Sequence, residues 1–340
     1  MRKVAVEQAV GMMVGHDLTK IVPDRYKGAA FKKGHVIRTE DIPALKAMGK
    51  NNIWVMEMAS NELHENEAAI RMAKAAASED DFFFEGPAEG KISLLAKEGG
   101  MLKINTGLLE ELNDRERIMM ATIWHNTVVP KGKLVAGTRI IPLKIKEEEI
   151  VAVEELCQGK EPILSVKKLQ SLQVGILVTG TEVYEGLIED KFSNVLVKKV
   201  EQLGSMVLDT VFAPDEDEVI GEKIHQLLER GAELILLAGG MSVDADDMTP
   251  KAIADAATEV ITYGAPVLPG AMLMLAYAGE VPMVGIPACA MYHKITSLDL
   301  VLPRLMAGEK PTRKDMSRLG HGGLCQNCEV CHYPVCTLSR

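Results

Sequence analysis

The sequence predicts an α/β protein in which residues 171–308 form a three-layer, doubly wound domain. A mixed α/β and β-rich region precedes it over residues 1–170. Between residues 171 and 308, continuous apolar runs alternate with amphipathic helical stretches, as in a parallel sheet covered by helices on both faces. Before residue 171, short β-branched runs alternate with turn residues and short helical stretches. Residues 309–340 form a third part, a cysteine-rich tail too short and too polar to fold without a staple.

The composition is that of a soluble globular protein. The chain has 340 residues, of which 47% are apolar and 25% charged, enough for two or three domains. The net charge of −10 argues against a nucleic acid or an anionic membrane as partner. No signal-peptide core is visible, and prolines interrupt the most apolar stretch, residues 265–287, so we expect a cytoplasmic protein.

The first 170 residues contain both helical and extended patterns. Residues 31–58 are predicted to form a strand, a helix closed by Gly49, and a second strand. The alanine-rich residues 64–80 and the charged residues 146–162 are predicted helices, the second with a solvated face. Residues 128–145 alternate turn residues with β-branched runs, as in a small barrel or sandwich.

Strands and helices alternate in the next part of the chain. Strands are predicted over residues 172–180, 205–214 and 232–240, and helices over residues 194–204, 215–231 and 249–257. Thr249 is expected to cap the last helix, with Pro250 in its first turn. Ligands of such parallel sheets bind at the carboxyl ends of the strands.

Two of these strands end in glycine and hydroxyl residues. One ends in Thr179, Gly180 and Thr181, and the other in Gly239 and Gly240, followed by Ser242. Glycine lets backbone N–H groups approach a phosphate, and a hydroxyl adds another donor. Either turn alone could be an ordinary strand-to-helix connection, but two in one domain favour an anion site. Neither turn matches a Walker loop or a dinucleotide-binding fingerprint.

Carboxylates follow the same strand ends. Glu182, Asp215 and Asp247 lie just beyond the predicted strands and could share one rim of the sheet. Such hard oxygen donors beside phosphate-binding turns suit Mg²⁺. Asp215 could instead cap the following helix, and Asp244 and Asp246 could be solvated neighbours.

These motifs together resemble a known family. The segments VTGTEVYEG, DKFSNVLVKKVEQLG, GGMSVDADDMTPKAI, APVLPGAML and VGIPACAMYHKITSLDLVLPRLMAG occur in the order typical of the molybdopterin-binding fold. The sequence is most similar to molybdopterin molybdenumtransferases, the molybdenum-insertion enzymes of cofactor synthesis, which are related to the gephyrin E domain. The resemblance covers residues 170–308 well and residues 1–170 more weakly.

The resemblance implies a ligand and a reaction. The residues implied in holding the phosphate or pyrophosphate of adenylylated molybdopterin are Thr179, Gly180, Thr181, Gly239, Gly240 and Ser242. It further implies that Asn194 contacts the ligand and that Pro269 and Gly270 shape an adjoining loop. The implied reaction joins molybdate to the dithiolene and releases AMP. Members of the family are homodimers, and apo-molybdoenzymes are further possible partners.

By the same resemblance, Glu182, Asp215 and Asp247 would hold Mg²⁺ or activate the attacking group.

The sequence departs from the family pattern in two segments, and these departures bear on whether the protein catalyses the reaction. Residues 269–272 read PGAM where the family has Pro-Gly-Lys-Pro, and residues 287–290 read PACA in place of Pro-Gly-Asn-Pro. Two alternatives to the insertion enzyme therefore stay open. One is a protein that binds or delivers molybdopterin or its cofactor, and the other is a nucleotide hydrolase of the competence-damage type.

The tail carries a cysteine motif, C-x2-C-x2-C-x4-C. Its members are Cys325, Cys328, Cys331 and Cys336. The first three match the spacing of bacterial ferredoxins, which favours a [4Fe–4S] cluster, although Zn²⁺, disulfides or free thiols are alternatives. His321 and His332 are minor ligand candidates.

Overall fold

A computed structural model describes residues 2–22, 26–56, 58–242, 244 and 247–338. The chain divides into two compact units. The first unit consists of Met1–Lys97, Ile104–Ile123 and Leu134–Ser165, and the second of Glu98–Lys103, Trp124–Lys133 and Val166–Arg340. Within the described ranges, none of the helices has the length and apolar character that a membrane crossing requires.

Strands outnumber helices up to residue 167. The strands are β1 (Arg2–Ala5), β2 (Met13–Val14), β3 (Leu18–Val22), β4 (Tyr26–Phe31), β5 (Asn52–Met56), β6 (Glu62–His64), β7 (Phe82–Ala88), β8 (Lys91–Ala96), β9 (Gly100–Ile104), β10 (Ile118–Thr122), β11 (Val128–Val129), β12 (Leu134–Ile140), β13 (Lys144–Lys146) and β14 (Leu164–Lys167). The helices are α1 (Ile42–Ala47), α2 (Glu65–Ala76), α3 (Thr106–Asn113) and α4 (Glu147–Cys157).

Strands and helices alternate after that point. The strands are β15 (Gln173–Thr179), β16 (Met206–Ala213), β17 (Leu234–Ala238), β18 (Glu259–Tyr263), β19 (Met274–Ala278) and β20 (Val281–Ile286). The helices are α5 (Thr181–Tyr184), α6 (Phe192–Gln202), α7 (Asp217–Glu229), α8 (Thr249–Ala256), α9 (Ser297–Met306) and α10 (Arg313–Arg318).

The first unit confirms the mixed character predicted for the N-terminal region. Its largest sheet is antiparallel, in the order β10-β12-β8-β7. The predicted helices over residues 64–80 and 146–162 are α2 and α4, and α1 ends just before Gly49 as expected. The strand predicted ahead of α1 is reduced to an isolated bridge between Val36 and Met13, although backbone hydrogen bonds also join Gly34 and His35 to Val14 and Ile37 to Met12.

The second unit is built on a six-stranded sheet in the order β16-β15-β17-β20-β19-β18. Strands β16, β15, β17 and β20 are parallel, and β19 and β18 continue the sheet antiparallel. The chain moves from β15 to β16 on one side and then returns to place β17 on the other side of β15. The boundary between β15 and β17 is therefore the switch point at which doubly wound sheets bind their ligands.

Helices cover both faces of this sheet, which confirms the three-layer prediction. Along β17, Leu234 and Leu236 enter one core while Ile235 and Leu237 enter the other. Helices α6 and α9 line the first core and α7 and α8 the second. Because β17 is buried on both faces, its sequence is continuously apolar and does not alternate.

Candidate functional site

The turns singled out in the sequence gather at one edge of the six-stranded sheet. Strands β15, β16, β17 and β20 are parallel, so their carboxyl ends meet there. The β18–β19 loop reaches the same edge, because Met274 at the start of β19 pairs with Gly285 near the end of β20. The strand order and direction therefore place these strand ends along one rim of the sheet.

Two threonine hydroxyls meet at the switch point. Val178 pairs with Ala238, so Thr179 lies beside the first glycine after β17. The Thr179 hydroxyl is buried and hydrogen-bonds the Thr249 hydroxyl at 2.9 Å. The prediction that Thr249 caps α8 is wrong, because Met248 occupies that position and Thr249 turns its side chain toward β15.

The two glycines after β17 pack closely against these hydroxyls. A methyl group on Gly239 would lie 2.1 Å from the carbonyl oxygen of Thr179, and the φ of +104° also excludes an ordinary side chain. A methyl group on Gly240 would lie 2.9 Å from the Thr249 hydroxyl and 3.4 Å from one Asp215 carboxylate oxygen. Glycine is thus required here by close approach as well as by backbone conformation.

Asp215 ties the end of β16 to the turn after β15. The backbone N–H of Thr181 donates to Oδ2 of Asp215 at 2.9 Å, and the N–H of Asp215 donates to the Thr181 hydroxyl at 3.3 Å. Asp215 does not cap α7, which begins at Asp217 after Glu216. The carboxylate therefore orders the turn and leaves Oδ1 directed toward Gly240.

Asp247 lies in the loop between β17 and α8. Its carboxylate accepts from the backbone N–H of Asp244 at 3.2 Å, so Asp244 is part of this loop's own structure. Asp246 is outside the described residues. The Tyr263 hydroxyl donates to the carbonyl oxygens of Met241 at 3.0 Å and Ser242 at 3.1 Å. Burial raises the pKa of Tyr263, and the negative charge of Asp247 raises it further.

Glu182 and Asn194 are both exposed at the same edge. Glu182 lies in the first turn of α5. Asn194 lies in the first turn of α6, where Asp190 accepts from the backbone N–H groups of Phe192 at 2.7 Å and Ser193 at 3.3 Å. Asp190 thus orders the start of this helix, and Asn194 is exposed to solvent in its first turn.

The three predicted metal-binding carboxylates are not grouped around one point. Among residues 2–22, 26–56, 58–242, 244 and 247–338, no three His, Cys, Asp or Glu side chains are grouped to hold a metal. The Asp215 carboxylate accepts a hydrogen bond from Thr181, and the Asp247 carboxylate accepts one from Asp244 in its own loop. Glu182 is exposed to solvent. A cation at this edge would therefore need oxygen ligands from a bound phosphate.

Pro269 and Gly270 are held by the start of α9. Gly270 has a φ of +118°, and the Ser297 hydroxyl donates to its carbonyl oxygen at 2.6 Å. The N–H of Ser297 donates to the carbonyl oxygen of Pro269 at 3.2 Å. The nearby PACA segment begins the short 3-10 turn Ala288–Met291, in which burial raises the pKa of the Cys289 thiol.

Sequence reasoning missed three residues that order this edge: Thr249, Tyr263 and Ser297. Thr249 was assigned a local role because threonine before proline is a common helix start. Tyr263 and Ser297 act on loops that lie more than twenty residues away in the chain. A local sequence pattern does not indicate contacts between residues so far apart in the chain.

The tail cysteines line a cavity at the end of the second unit. It measures about 260 Å³ and includes Cys325, Cys328, Cys331 and Cys336 among its lining residues. Cys328 and Cys331 are exposed, and Cys325 and Cys336 are half-buried. No disulfide joins them.

The sheet that carries this edge lies in a part of the chain that matches a known family. The family described as "Probable molybdopterin binding domain" matches residues 175–307. Over these 133 residues of the 340, the sequence is similar to this family. The match spans β15 to α9 and so contains the turns described above, whereas the tail lies beyond it. A second family, described as "Domain of unknown function (DUF8806)", matches residues 3–57.

Individual relatives are similar to parts of this chain. A molybdopterin molybdenumtransferase of Synechococcus elongatus is 25% identical over 193 residues, which cover 54% of this chain and 45% of that protein. A CinA-like protein of Mycobacterium tuberculosis is 31% identical over 84 residues, 25% of this chain and 20% of that protein. The chain thus matches less than half the length of either relative.

Solved structures are similar to about two fifths of this chain. The molybdopterin biosynthesis enzyme MoaB from Thermus thermophilus is 22% identical, with a TM-score of 0.35 over 41% of this chain and 98% of that one. The molybdopterin biosynthesis Mog protein from Mycobacterium ulcerans is 19% identical, with a TM-score of 0.36 over 41% and 97% of the two chains.

Proposed function

We propose that this protein acts in molybdenum cofactor synthesis by binding adenylylated molybdopterin at the β15–β17 switch point and inserting molybdate with release of AMP. The observation that carries the proposal is the convergence of Thr179, Gly239, Gly240 and Thr249 in close contact at that point. Glycines there expose backbone N–H groups, and the threonines add hydroxyl donors, as a phosphate requires. The family match supports the pterin as the rest of the ligand.

Asp215 and Asp247 are the groups that would hold Mg²⁺ at this site, together with Glu182. Their carboxylates are the hard oxygen donors that Mg²⁺ prefers, and Asp215 Oδ1 faces Gly240, where phosphate oxygens would enter. When bound, Mg²⁺ neutralises phosphate charge and stabilises the leaving AMP. Because these carboxylates are not clustered, the substrate phosphates would supply the remaining ligands.

The residues of the chain would act mainly by orientation and charge stabilisation. The N–H groups of the two glycine turns would hold the phosphates in place while the phosphoanhydride bond to AMP breaks. Thr181 and Asp215 keep the β15 turn in one conformation through their reciprocal hydrogen bonds. The Tyr263 hydroxyl holds the opposite loop through the Met241 and Ser242 carbonyl groups.

The direct test is molybdate-dependent release of AMP by the purified chain supplied with adenylylated molybdopterin and Mg²⁺. Asp247→Asn is expected to abolish this release, since it removes a charge without changing the size of the side chain. Asp255→Asn is the matched control, because Asp255 lies on the exposed face of α8, paired with Lys251 at 3.0 Å. Full AMP release by the Asp247 variant would remove that residue from the mechanism.

A second candidate function is binding or delivery of molybdopterin or its cofactor without turnover, with the tail as an added metal centre. The sequence at 269–272, which lacks the family lysine, and the PACA segment at 287–290 favour it. This function predicts tight pterin binding with no AMP formed. Absence of pterin binding would refute both this candidate and the insertion enzyme.

A third candidate is a nucleotide hydrolase, favoured by the similarity to a CinA-like protein over 84 residues. It predicts cleavage of free dinucleotides when no molybdopterin is present. The same preparation can be assayed with dinucleotide alone, so the three functions give three different product patterns.

A further inference from the structure

Within the cysteine-rich tail, the segment that follows α10, residues 319–338, has little apolar core of its own. Leu338 is buried, but Leu324, Val330 and Val335 expose 60%, 64% and 75% of their surface. Burial of apolar side chains therefore supplies little of the free energy that would order this segment. Small segments of this kind are commonly ordered by metals or disulfides.

The four cysteines of the tail nevertheless face a common space. They are separated along the chain by two, two and four residues, yet all four line the same cavity of about 260 Å³. His293 and His332 line it as well. Soft thiolate sulfurs with few competing carboxylates are the ligand set of zinc and of iron–sulfur clusters.

We propose that Cys325, Cys328, Cys331 and Cys336 bind a single thiolate metal centre in this cavity, either a [4Fe–4S] cluster or Zn²⁺. Within the part of the chain that the structure describes, no three such side chains are already grouped around one point. Binding would therefore draw the sulfurs together and close the segment between Cys325 and Cys336. The thiol protons leave to solvent as the metal binds.

The tail is connected directly to the proposed ligand edge. The N–H of Cys325 donates to the carbonyl oxygen of Leu268, and the N–H of Leu268 donates to that of Gly323, both at 2.8 Å. Leu268 immediately precedes Pro269 and Gly270, which α9 holds through Ser297. A metal that orders Cys325 would thus order the adjoining loop.

A second connection reaches the other altered loop. Residues 292–295, which follow the PACA segment, form part of the cavity wall. The Tyr333 hydroxyl donates to the backbone carbonyl oxygen of Asp299 in α9 at 3.1 Å. We therefore infer that metal binding also increases the affinity of the edge for molybdopterin, a step that rests on the proposed function.

Metal binding is tested on the full chain, purified without oxygen and stripped of metal. One sample receives Zn²⁺ alone, and another receives equal amounts of ferrous and ferric iron with sulfide, which together have the oxidation level of a [4Fe–4S]²⁺ cluster and need no further oxidant. Bound metal and sulfide are measured after desalting. Cys328→Ser with Cys331→Ser removes two exposed thiols with little effect on packing. Cys157→Ala, a buried cysteine of the first unit, is the matched control.

We expect one centre per chain in the wild type and the control, and its loss in the double variant. Uptake of iron with sulfide identifies a cluster, and uptake of zinc alone identifies a zinc site. If neither sample retains metal, or if the double variant retains as much as the wild type, the proposed centre is refuted.

The coupling is measured by hydrogen exchange and by pterin binding. Loading the centre should slow amide exchange about tenfold in residues 264–273 and in the tail, and should tighten molybdopterin binding. Unchanged exchange and affinity after loading would refute the coupling. Metal uptake without any pterin binding would refute the proposed function and leave the metal centre standing, whereas pterin binding without metal uptake would do the reverse.

Discussion

Gly240→Ala tests whether the β17 turn is an anion site or only a tight connection. Gly240 has a φ of +52°, and a methyl group there would lie 2.9 Å from the Thr249 hydroxyl and 3.4 Å from the Thr179 hydroxyl. The substitution therefore has two effects that can be separated. One is the strain of placing alanine in the left-handed region, and the other is the crowding of the space that a phosphate would occupy.

The strain has a matched control elsewhere in the same unit. Gly231 has a φ of +89°, and a methyl group there would meet nothing within 4 Å. Left-handed backbone costs about 1–2 kcal/mol for a residue with a Cβ, so both alanine variants should lose at least about that much stability. Gly240→Ala should lose more, because its methyl group would lie 2.9 Å from the Thr249 hydroxyl. Only Gly240→Ala should also lose affinity. We expect at least a tenfold weaker Kd for molybdopterin, which corresponds to about 1.4 kcal/mol.

The assay measures molybdopterin binding by fluorescence titration on wild type, Gly240→Ala and Gly231→Ala. Hydrogen exchange of peptides from β17 shows in parallel that the sheet remains folded. Wild-type affinity in Gly240→Ala would refute the assignment of this turn as the phosphate site. Equal loss in both would show that strain, and not crowding, weakens binding.

Two further predictions concern ion pairs in the two units. Glu309→Gln should destabilise the second unit by about 3 kcal/mol, because Lys103 at 2.6 Å and Arg304 at 2.9 Å would lose their shared, nearly buried carboxylate. In the first unit, the hydrogen bonds from Arg71 lower the pKa of Glu154. The ion pair therefore stabilises the folded first unit at pH values above the ordinary glutamate pKa, and this stabilisation is lost as the pH falls through the lowered pKa of Glu154. Glu154→Gln should remove this pH dependence of the free energy of unfolding.

The controls for these predictions are exposed glutamates. Glu280→Gln in the second unit and Glu155→Gln on α4 change the same charge at exposed positions. Denaturant-dependent hydrogen exchange reports each unit separately, which is needed because two units need not unfold together. If Glu309→Gln lowers the free energy of unfolding by less than about 1 kcal/mol, water already screens the charge of Glu309 from Lys103 and Arg304. An unaltered acid dependence in Glu154→Gln would place the titrating group elsewhere.

The sheet of the second unit could be predicted because its strands are buried on both faces. A strand such as Leu234–Ala238 must then be continuously apolar, and an amphipathic helix must follow it. The order of the strands could not be predicted, because it depends on which side of β15 the chain returns to after α7. That choice creates the switch point, and it determines that Thr179 meets Gly239.

Side-chain roles were predicted only where local chemistry decides them. The glycine turns were visible because φ and close approach both require glycine at Gly239 and Gly240. The roles of Thr249 and Asp215 were misjudged or left open, because helix capping is a local pattern that either residue could serve. Their actual partners, Thr179 and Thr181, lie 70 and 34 residues away in the chain.

The position of Asp215 also decides how an acidic chain could bind an anion. A phosphate placed against Gly240 would meet Asp215 Oδ1 nearby, since that oxygen lies only 3.4 Å from the methyl position on Gly240. Like charges about 4 Å apart repel by about 4 kcal/mol at an effective dielectric constant of 20, before any screening by salt. Each N–H bond to a charged phosphate returns about 1.5–3 kcal/mol, so two or three such bonds return about 3–9 kcal/mol, and the lower end of that range does not cover the repulsion in a chain of net charge −10. Under the proposed function, a divalent cation between the two groups would reverse the sign of this interaction, so we expect cation binding and phosphate binding to strengthen each other at this edge.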